Sequence, residues 1–203
     1  LEARLIVPFC DEWDFLAWYS EASQSGITFA GLWEPHNGHR LLIPRLLFLL
    51  RDTVFQGDPL FLVLGSLLLQ AVVIAVIVVV VLREPRLKGT TLQTGIIAST
   101  IVVLTWSVQL ENFQWSIQIA YLLAACLAVL ALAVVSGEPP VRGFDRPAAG
   151  ATAIALLACL CLGAGLATWP ALLVVAIAQR RGVFAVMVIA AGAALSSTWF
   201  FDY

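Results

Sequence analysis

LFLVLGSLLLQAVVIAVIVVVVL, residues Leu60–Leu82, decides the fold. The run carries no charged side chain. As a helix rising ~1.5 Å per residue it reaches about 34 Å, enough to cross a hydrocarbon core of about 30 Å. Arg83-Glu84-Pro85-Arg86-Leu87-Lys88 stops it. The whole chain shares its character, at 61% hydrophobic and 12% charged residues. Soluble domains carry about 25% charge and roughly 45–50% apolar residues, so the excess predicts several bilayer spans.

C-terminal to this run, further spans are predicted at Thr91–Leu110, Trp115–Val135, Ala148–Leu166, a short one beginning at Leu172–Ala178, and Val183–Ser197. Glu111-Asn112-Phe113-Gln114-Trp115 reads as a polar-aromatic hinge, and Trp169-Pro170 as a turn. The fourth and fifth spans are short enough to form a hairpin that does not fully cross.

N-terminal to the run, Leu41–Leu50 is apolar over only ten residues, flanked by Arg40 and Arg51-Asp52 with Arg45 inside. Crossing needs about 20 residues, so this segment is predicted to lie in the interface, with Pro44 tolerated in its first turn. Pro8 to about Ser25 is amphipathic. Trp13, Leu16 and Ala17 share one face near Ser20, and Phe15, Trp18, Tyr19 and Ala22 widen it. Aromatics among acids predict a second helix lying in the interface, ended by Gly26.

The expectation is therefore an all-α, polytopic helical membrane protein. An outer loop with two interfacial amphipathic helices, residues 1–58, precedes a bundle of about six transmembrane helices, residues 59–203, and together they form one membrane domain. Leu1–Pro8 has no signal-peptide pattern and Trp199–Tyr203 stops at an aromatic cluster, which reads as a fragment of a longer membrane protein.

Charge gives an orientation. Loops after the first, third and fifth predicted spans hold Arg83, Arg86, Lys88, Arg142, Arg146, Arg180 and Arg181, whereas loops after the second and fourth hold no Lys or Arg. The positive-inside rule places the first set in the cytoplasm. Arg4, Arg40, Arg45 and Arg51 then lie on the outer side against the trend, which points to a specific use for at least one of them. A net charge of -2 gives no nucleic-acid footprint. Cys10, Cys126, Cys159 and Cys161 form neither a disulfide framework nor a zinc motif.

Concentrated polar chemistry occurs in three places. Asp11, Glu12 and Asp14 fall within one helical turn, where mutual repulsion and apolar neighbours favour proton uptake. They read either as a general base or as a solvated helix start. His36, His39 and Arg40 read as a phosphate contact, because Arg offers a planar fork of donors. Alternatively His36 and His39 hold a metal with a nearby acid such as Asp11, or they line an interfacial loop. Glu111, Asn112 and Gln114, extended by Gln109 and Gln118, read as a functional patch at membrane depth or as a polar helix end. No GxSxG elbow, P-loop or HExxH occurs. The spans hold no chain of acids or lysines, which counts against a transporter or flippase.

An Asp-Glu pair opening an outer loop, an interfacial helix, a His/Arg turn, a second interfacial helix and serial spans resemble the polytopic glycosyltransferases of the GT-C superfamily. The likeness is to bacterial relatives of protein O-mannosyltransferases and lipid A aminoarabinose transferases. A closer one is to bacterial membrane proteins with an Asn-Glu-His-Arg-type turn and a Gln-Trp-Glu-Asn-type hinge. Here these read Asn37-Gly38-His39-Arg40 and Gln109-Leu110-Glu111-Asn112, with Gly38 where an acid is usual and Leu110 where an aromatic is usual. The resemblance covers about residues 5 to 203.

It implies inverting transfer of a sugar from a polyprenyl-phosphate donor at the outer face of a bacterial inner membrane. Asp11 would act as base with Glu12 beside it, and Arg40 with His39 would stabilise the leaving phosphate. His36, Glu111 and Asn112 are further donor-site candidates, and a divalent metal is open in such enzymes. Membrane lipids and membrane-protein partners are implied. The competing expectation is a non-catalytic integral subunit or scaffold that keeps the fold without the chemistry.

Overall fold

The computed structural model describes residues 12–36, 39–106, 116–137 and 146–200, and these are mostly helical. Five helices after the first apolar run form a serial bundle with it: α4 (Leu60–Arg83), α5 (Thr91–Thr105), α6 (Ile119–Val135), α7 (Arg146–Cys161), α8 (Thr168–Ala178) and α9 (Gly182–Phe200). Ahead of them α1 (Glu12–Ser25), α2 (Phe29–Trp33), a hairpin of β1 (Pro35–His36) and β2 (His39–Arg40), and α3 (Leu42–Val54) make a cap.

The ends of α4 follow from its flanks. The Leu60 N–H donates to Asp58 Oδ1 at 2.9 Å, and Glu84 leaves helical geometry just before Pro85, as the steric demand of proline favours. The α5 helix starts on Thr90, whose Oγ1 accepts from the Gln93 N–H at 3.1 Å. Gln93 Nε2 donates to the Val81 carbonyl at 3.0 Å, and Gln70 Nε2 to the Leu104 carbonyl at 2.7 Å. Both pairs keep one antiparallel register, so α5 ends level with the middle of α4. This is shorter than the predicted span through Leu110. Gln70 satisfies a carbonyl that a continuing helix would have bonded itself.

Two described helical stretches, Leu60–Arg83 and Ser116–Val135, are long and apolar enough to cross a membrane. Ser116–Gln118 leads into α6 as a 3-10 turn. Thr91–Thr105, Arg146–Cys161 and Thr168–Ala178 are shorter than a crossing requires, and Gly182–Phe200 is close to the lower limit. On α4, Leu64, Leu67, Leu68, Val79 and Leu82 face outward, and α5 buries no residue. Each large apolar side chain withdrawn from water is worth about 1.5–3 kcal/mol, so this outer surface matches hydrocarbon better than water.

The predicted span Ala148–Leu166 ends early. Leu162 is extended, and a Cβ at Gly165 would collide with the Ala158 carbonyl oxygen. A glycine there lets the chain fold back against α7 through a 3-10 turn, Gly163–Ala167. The turn thus precedes Trp169-Pro170, and Pro170 lies in the first turn of α8, where its missing N–H costs nothing. Trp169 Nε1 then donates to Cys159 Sγ at 3.3 Å, and Trp169 packs on Gly192. The main bundle core joins Ala131, Val135, Ala151, Ala155, Leu172, Ala176, Phe184 and Val188.

The bundle has two unlike ends. Gln179 Nε2 donates to the Val135 carbonyl at 3.0 Å, and a cleft there is lined by Val80, Arg83, Glu84, Gly137 and Gln179. This end gathers Arg83, Arg180 and Arg181. At the other end the cap is seated. Phe48 is fully buried against Phe15, Leu62 and Ile119, and Leu41 packs with Ala120, Ala124, Cys161 and Leu162.

Within the cap, α1 turns Phe15 and Ala22 inward with Leu16, Trp18 and Tyr19 partly buried, while Trp13 and Ala17 are exposed. The face expected to centre on Trp13 and Ala17 is therefore rotated, and its aromatics pack on protein. Gly26 closes α1 with φ +94°, and its N–H donates to the Ala22 carbonyl at 2.8 Å. The hairpin pairs Pro35 with Arg40 and His36 with His39, a small departure from an all-α reading.

Candidate functional site

A polar cleft at the cap end is lined by Asp14, Phe15, His36, Leu41, Pro44, Arg45, Phe48 and Ile117. Four elements build it. The first turn of α1 supplies Asp14, the hairpin supplies His36, α3 supplies Pro44, Arg45 and Phe48, and the turn before α6 supplies Ile117. Its volume is about 20 Å³, room for about one water molecule.

Arg45 is the dominant charge. It is 7% exposed. Its Nη1 donates to the carbonyls of Gly31 (2.8 Å), Leu32 (3.0 Å) and Glu34 (2.7 Å). Two N–H groups are thus shared among three acceptors at the C-terminal end of α2, where helix carbonyls lack partners. The guanidinium also lies 5.3 Å from the Trp18 ring centroid. Burial lowers the Arg45 pKa from its ordinary value. Glu34 opposes that shift and Arg40 adds to it. The guanidinium has five donors. Those beyond Nη1 make no hydrogen bond to described residues, so Arg45 keeps capacity toward the cleft it lines.

The residues expected from sequence are placed as follows. Asp11, Glu111 and Asn112 lie outside the described residues, as does the Asn37-Gly38 half of the turn motif. Glu12 is buried and sits 4.0 Å from Arg51 Nη1. Arg51 Nε also holds Asp52 Oδ1 at 2.7 Å. Glu12 thus joins an ion-pair cluster tying α1 to α3 and does not line the cleft. Arg40 is buried. Its Nη1 donates to the Trp33 carbonyl at 2.8 Å and its guanidinium lies over the Trp33 ring, so it contributes to holding α2. His36 reaches the cleft, with His39 opposite it across the hairpin. No group of three or more His, Cys, Asp or Glu side chains is gathered as a metal site among the described residues.

The structure therefore brings together Asp14, His36 and Arg45, of which the sequence gave the first two candidate chemistry and marked Arg45 only as one of four arginines on the unexpected side. An arginine inside a ten-residue apolar run was the available signal, since such a charge either snorkels to water or is buried with partners. Chemically, the cleft sets one carboxylate, one imidazole and one buried guanidinium over an apolar floor. Compared with protein-family models, curated proteins and solved structures, the chain gives no match.

Proposed function

We propose that this chain is the membrane domain of a glycosyltransferase that takes a sugar from a polyprenyl-phosphate donor at the non-cytoplasmic face of a bacterial inner membrane. The cap would face outward and the basic end inward. α4 and α6 would cross the bilayer, and α5, α7, α8 and α9 would complete about six membrane segments, tilted or partly crossing. The observation that carries the reading is the buried Arg45 guanidinium in one cleft with Asp14 and His36, at the end of the bundle opposite its basic loops.

The chemistry assigns a role to each group. An acceptor hydroxyl attacks the anomeric carbon, a carboxylate takes its proton, and the carbon–oxygen bond to the lipid phosphate breaks with inversion. The phosphate leaves with the bonding pair, and Arg45 with His36 stabilises its charge. Asp11 remains the proposed base, with Glu12 supporting the start of α1. Asp14, three positions on, is the carboxylate at the cleft itself. Arg40 and His39 support the donor site from the hairpin, and Glu111 and Asn112 extend it. A divalent ion is compatible with this chemistry through Asp11, His36 and His39.

A cleft of about 20 Å³ requires the cap to open around a donor. The test is binding and transfer of a radiolabelled polyprenyl-phosphate hexose by the full chain in vesicles, comparing wild type with Asp11→Asn, Asp14→Asn and His36→Gln. Loss of transfer in either carboxylate variant, with weaker donor binding in His36→Gln, supports the reading. Undiminished transfer in both carboxylate variants overturns the base assignment.

A second reading is a non-catalytic membrane subunit. The commitment of both Arg40 and Arg45 to backbone carbonyls of the α2 segment favours it. No donor binding, with stable co-purification of a membrane partner, would establish it.

A further inference from the structure

The amphipathicity of α3 is inside out. Its inward arc carries Arg45, Phe48, Leu49 and Arg51, all buried. Its outward arc carries Leu46, Leu50 and Val54, which are 47%, 40% and 62% exposed. These recur four residues apart and so form one stripe. Ile43 and Leu47 border it, partly exposed. The polar side chain on that arc, Thr53, donates its hydroxyl to the Leu49 carbonyl at 2.7 Å and needs no water. A helix facing water puts its charges outward and its leucines inward. This one buries its arginines beside Phe48 and Leu49 and leaves a leucine stripe outside, because carbonyls of the α2 segment hold Arg45 and Asp52 with Glu12 of α1 hold Arg51.

The stripe also has a continuation. Phe55, just past the end of α3, stacks on Phe61 with ring centroids 4.2 Å apart. Phe61 opens α4, whose outward Leu64, Leu67 and Leu68 carry the apolar surface along the span. The exposed face of α3 is thus joined through an aromatic pair to the face of α4 that matches hydrocarbon.

We infer that α3 is seated in the outer leaflet, with Leu46, Leu50 and Val54 in the acyl region just below the headgroups, so that the Arg45 side of the cleft stands at phosphate level. The occupant of the stripe is lipid. Its outward arc has no charge or unsatisfied polar group that a protein partner would recognise, and it runs into the span surface. An interfacial helix ordinarily turns its cations to water. Here the protein covers that side, so the cap and the leaflet enclose α3 between them. The inference rests on the membrane reading of α4 and is independent of whether sugar transfer occurs.

The test is nitroxide accessibility in the full chain reconstituted into vesicles of phosphatidylethanolamine and phosphatidylglycerol, with native cysteines replaced by alanine. Labels are placed singly at Leu46, Leu50 and Val54, with Leu68 reporting on α4 and Glu21 on the exposed side of α1. Oxygen, which partitions into lipid, is compared with a water-soluble nickel chelate. The expected result is several-fold greater oxygen accessibility at Leu46, Leu50, Val54 and Leu68, and greater nickel accessibility at Glu21. Nickel accessibility at the α3 sites with oxygen accessibility at Leu68 overturns the inference and leaves the membrane reading standing. Inaccessibility of the α3 sites to both reagents overturns it in favour of a protein cover. Nickel accessibility at Leu68 as well overturns both. Unlabelled Leu50→Phe, which keeps the stripe apolar, should retain the vesicle-bound, folded state that Leu50→Asp weakens.

Discussion

Helices α1 and α3 are close in length, meet through Phe15 and Phe48 at 4.6 Å between ring centroids, and solve the same problem in opposite ways. α1 turns aromatics inward and leaves Ser20, Glu21, Ser23 and Gln24 in the open. α3 turns arginines inward and leaves leucines in the open. The difference shows that the side a helix buries is set by the partners waiting for it. Phe15 meets a pocket of Phe48, Leu62 and Ile119, which rewards an apolar side chain. Arg45 meets three carbonyls at the end of α2, which reward a cation. Those carbonyls stand at a helix end that lacks further N–H partners of its own, so the two helices and the short one between them stabilise each other.

The strongest way to break the comparison is to remove what α1 and α3 share. Phe48→Ala should destabilise the cap by about 3–5 kcal/mol, the range for emptying a buried aromatic site. The expected readout is a lower thermal midpoint in detergent and proteolysis within residues 12–54, with α4 protected. Next, Arg45→Met keeps the volume and removes the donors. Stranding three carbonyls beside Glu34 should cost roughly 3 kcal/mol, within the range for breaking a buried charged interaction. Arg45→Lys should recover only part of this, because one ammonium cannot reproduce the planar fork. A thermal midpoint for Arg45→Met equal to wild type would show that the capping bonds contribute nothing.

A reciprocal exchange sharpens the contrast on the outward faces. Leu50→Asp should destabilise the chain in vesicles by about 1.5–3 kcal/mol, the worth of one leucine's burial, and by less in urea-treated detergent solution. Glu21→Leu on α1 should lie within about 0.5 kcal/mol of wild type, as for surface positions without special contacts. Equal effects at the two positions, measured by the same denaturation series, would count against the inferred seating of α3 in lipid.

What the sequence disclosed follows the same division. The long apolar runs were legible because composition over twenty residues outweighs any one contact, and α4 falls within a residue of its predicted end. The ends of α5 and α7 were not legible. Gln70 taking the Leu104 carbonyl is a contact between positions far apart in sequence, and the fit of Gly165 against Ala158 depends on a backbone approach that no local pattern encodes. The existence of α1 and α3 was legible from amphipathicity, but the rotation of α1 and the inverted seating of α3 depend on partners elsewhere. One local signal went unused. Asn-Gly, which stands between His36 and His39 in the sequence, is among the dipeptides most favoured in two-residue hairpins, and His36 and His39 are a facing pair of β1 and β2. At the site, Asp14 and His36 were legible as polar residues in an oily chain. Arg45 was legible as an arginine on the unexpected side, but its place was not, because its three acceptors are main-chain carbonyls, which every sequence contains.

The smallest expected effect tests the strap between the two helices. α2 is only five residues long, too short to persist alone, and it is held at both ends. At its start Thr28 Oγ1 accepts from the Gly31 N–H at 3.1 Å. At its end Arg40 and Arg45 take the carbonyls. If buried arginines do most of the holding, as the contrast between α1 and α3 requires, the exposed threonine should matter modestly. Thr28→Ala should then cost about 1 kcal/mol, the usual worth of an N-cap, and Thr28→Ser should restore most of it. Both are measurable as shifts in the thermal midpoint of the cap. A Thr28→Ala loss as large as that of Arg45→Met would move the anchor of α2 from its buried end to its exposed one. Arg45 would then lack the role that explains why it faces inward.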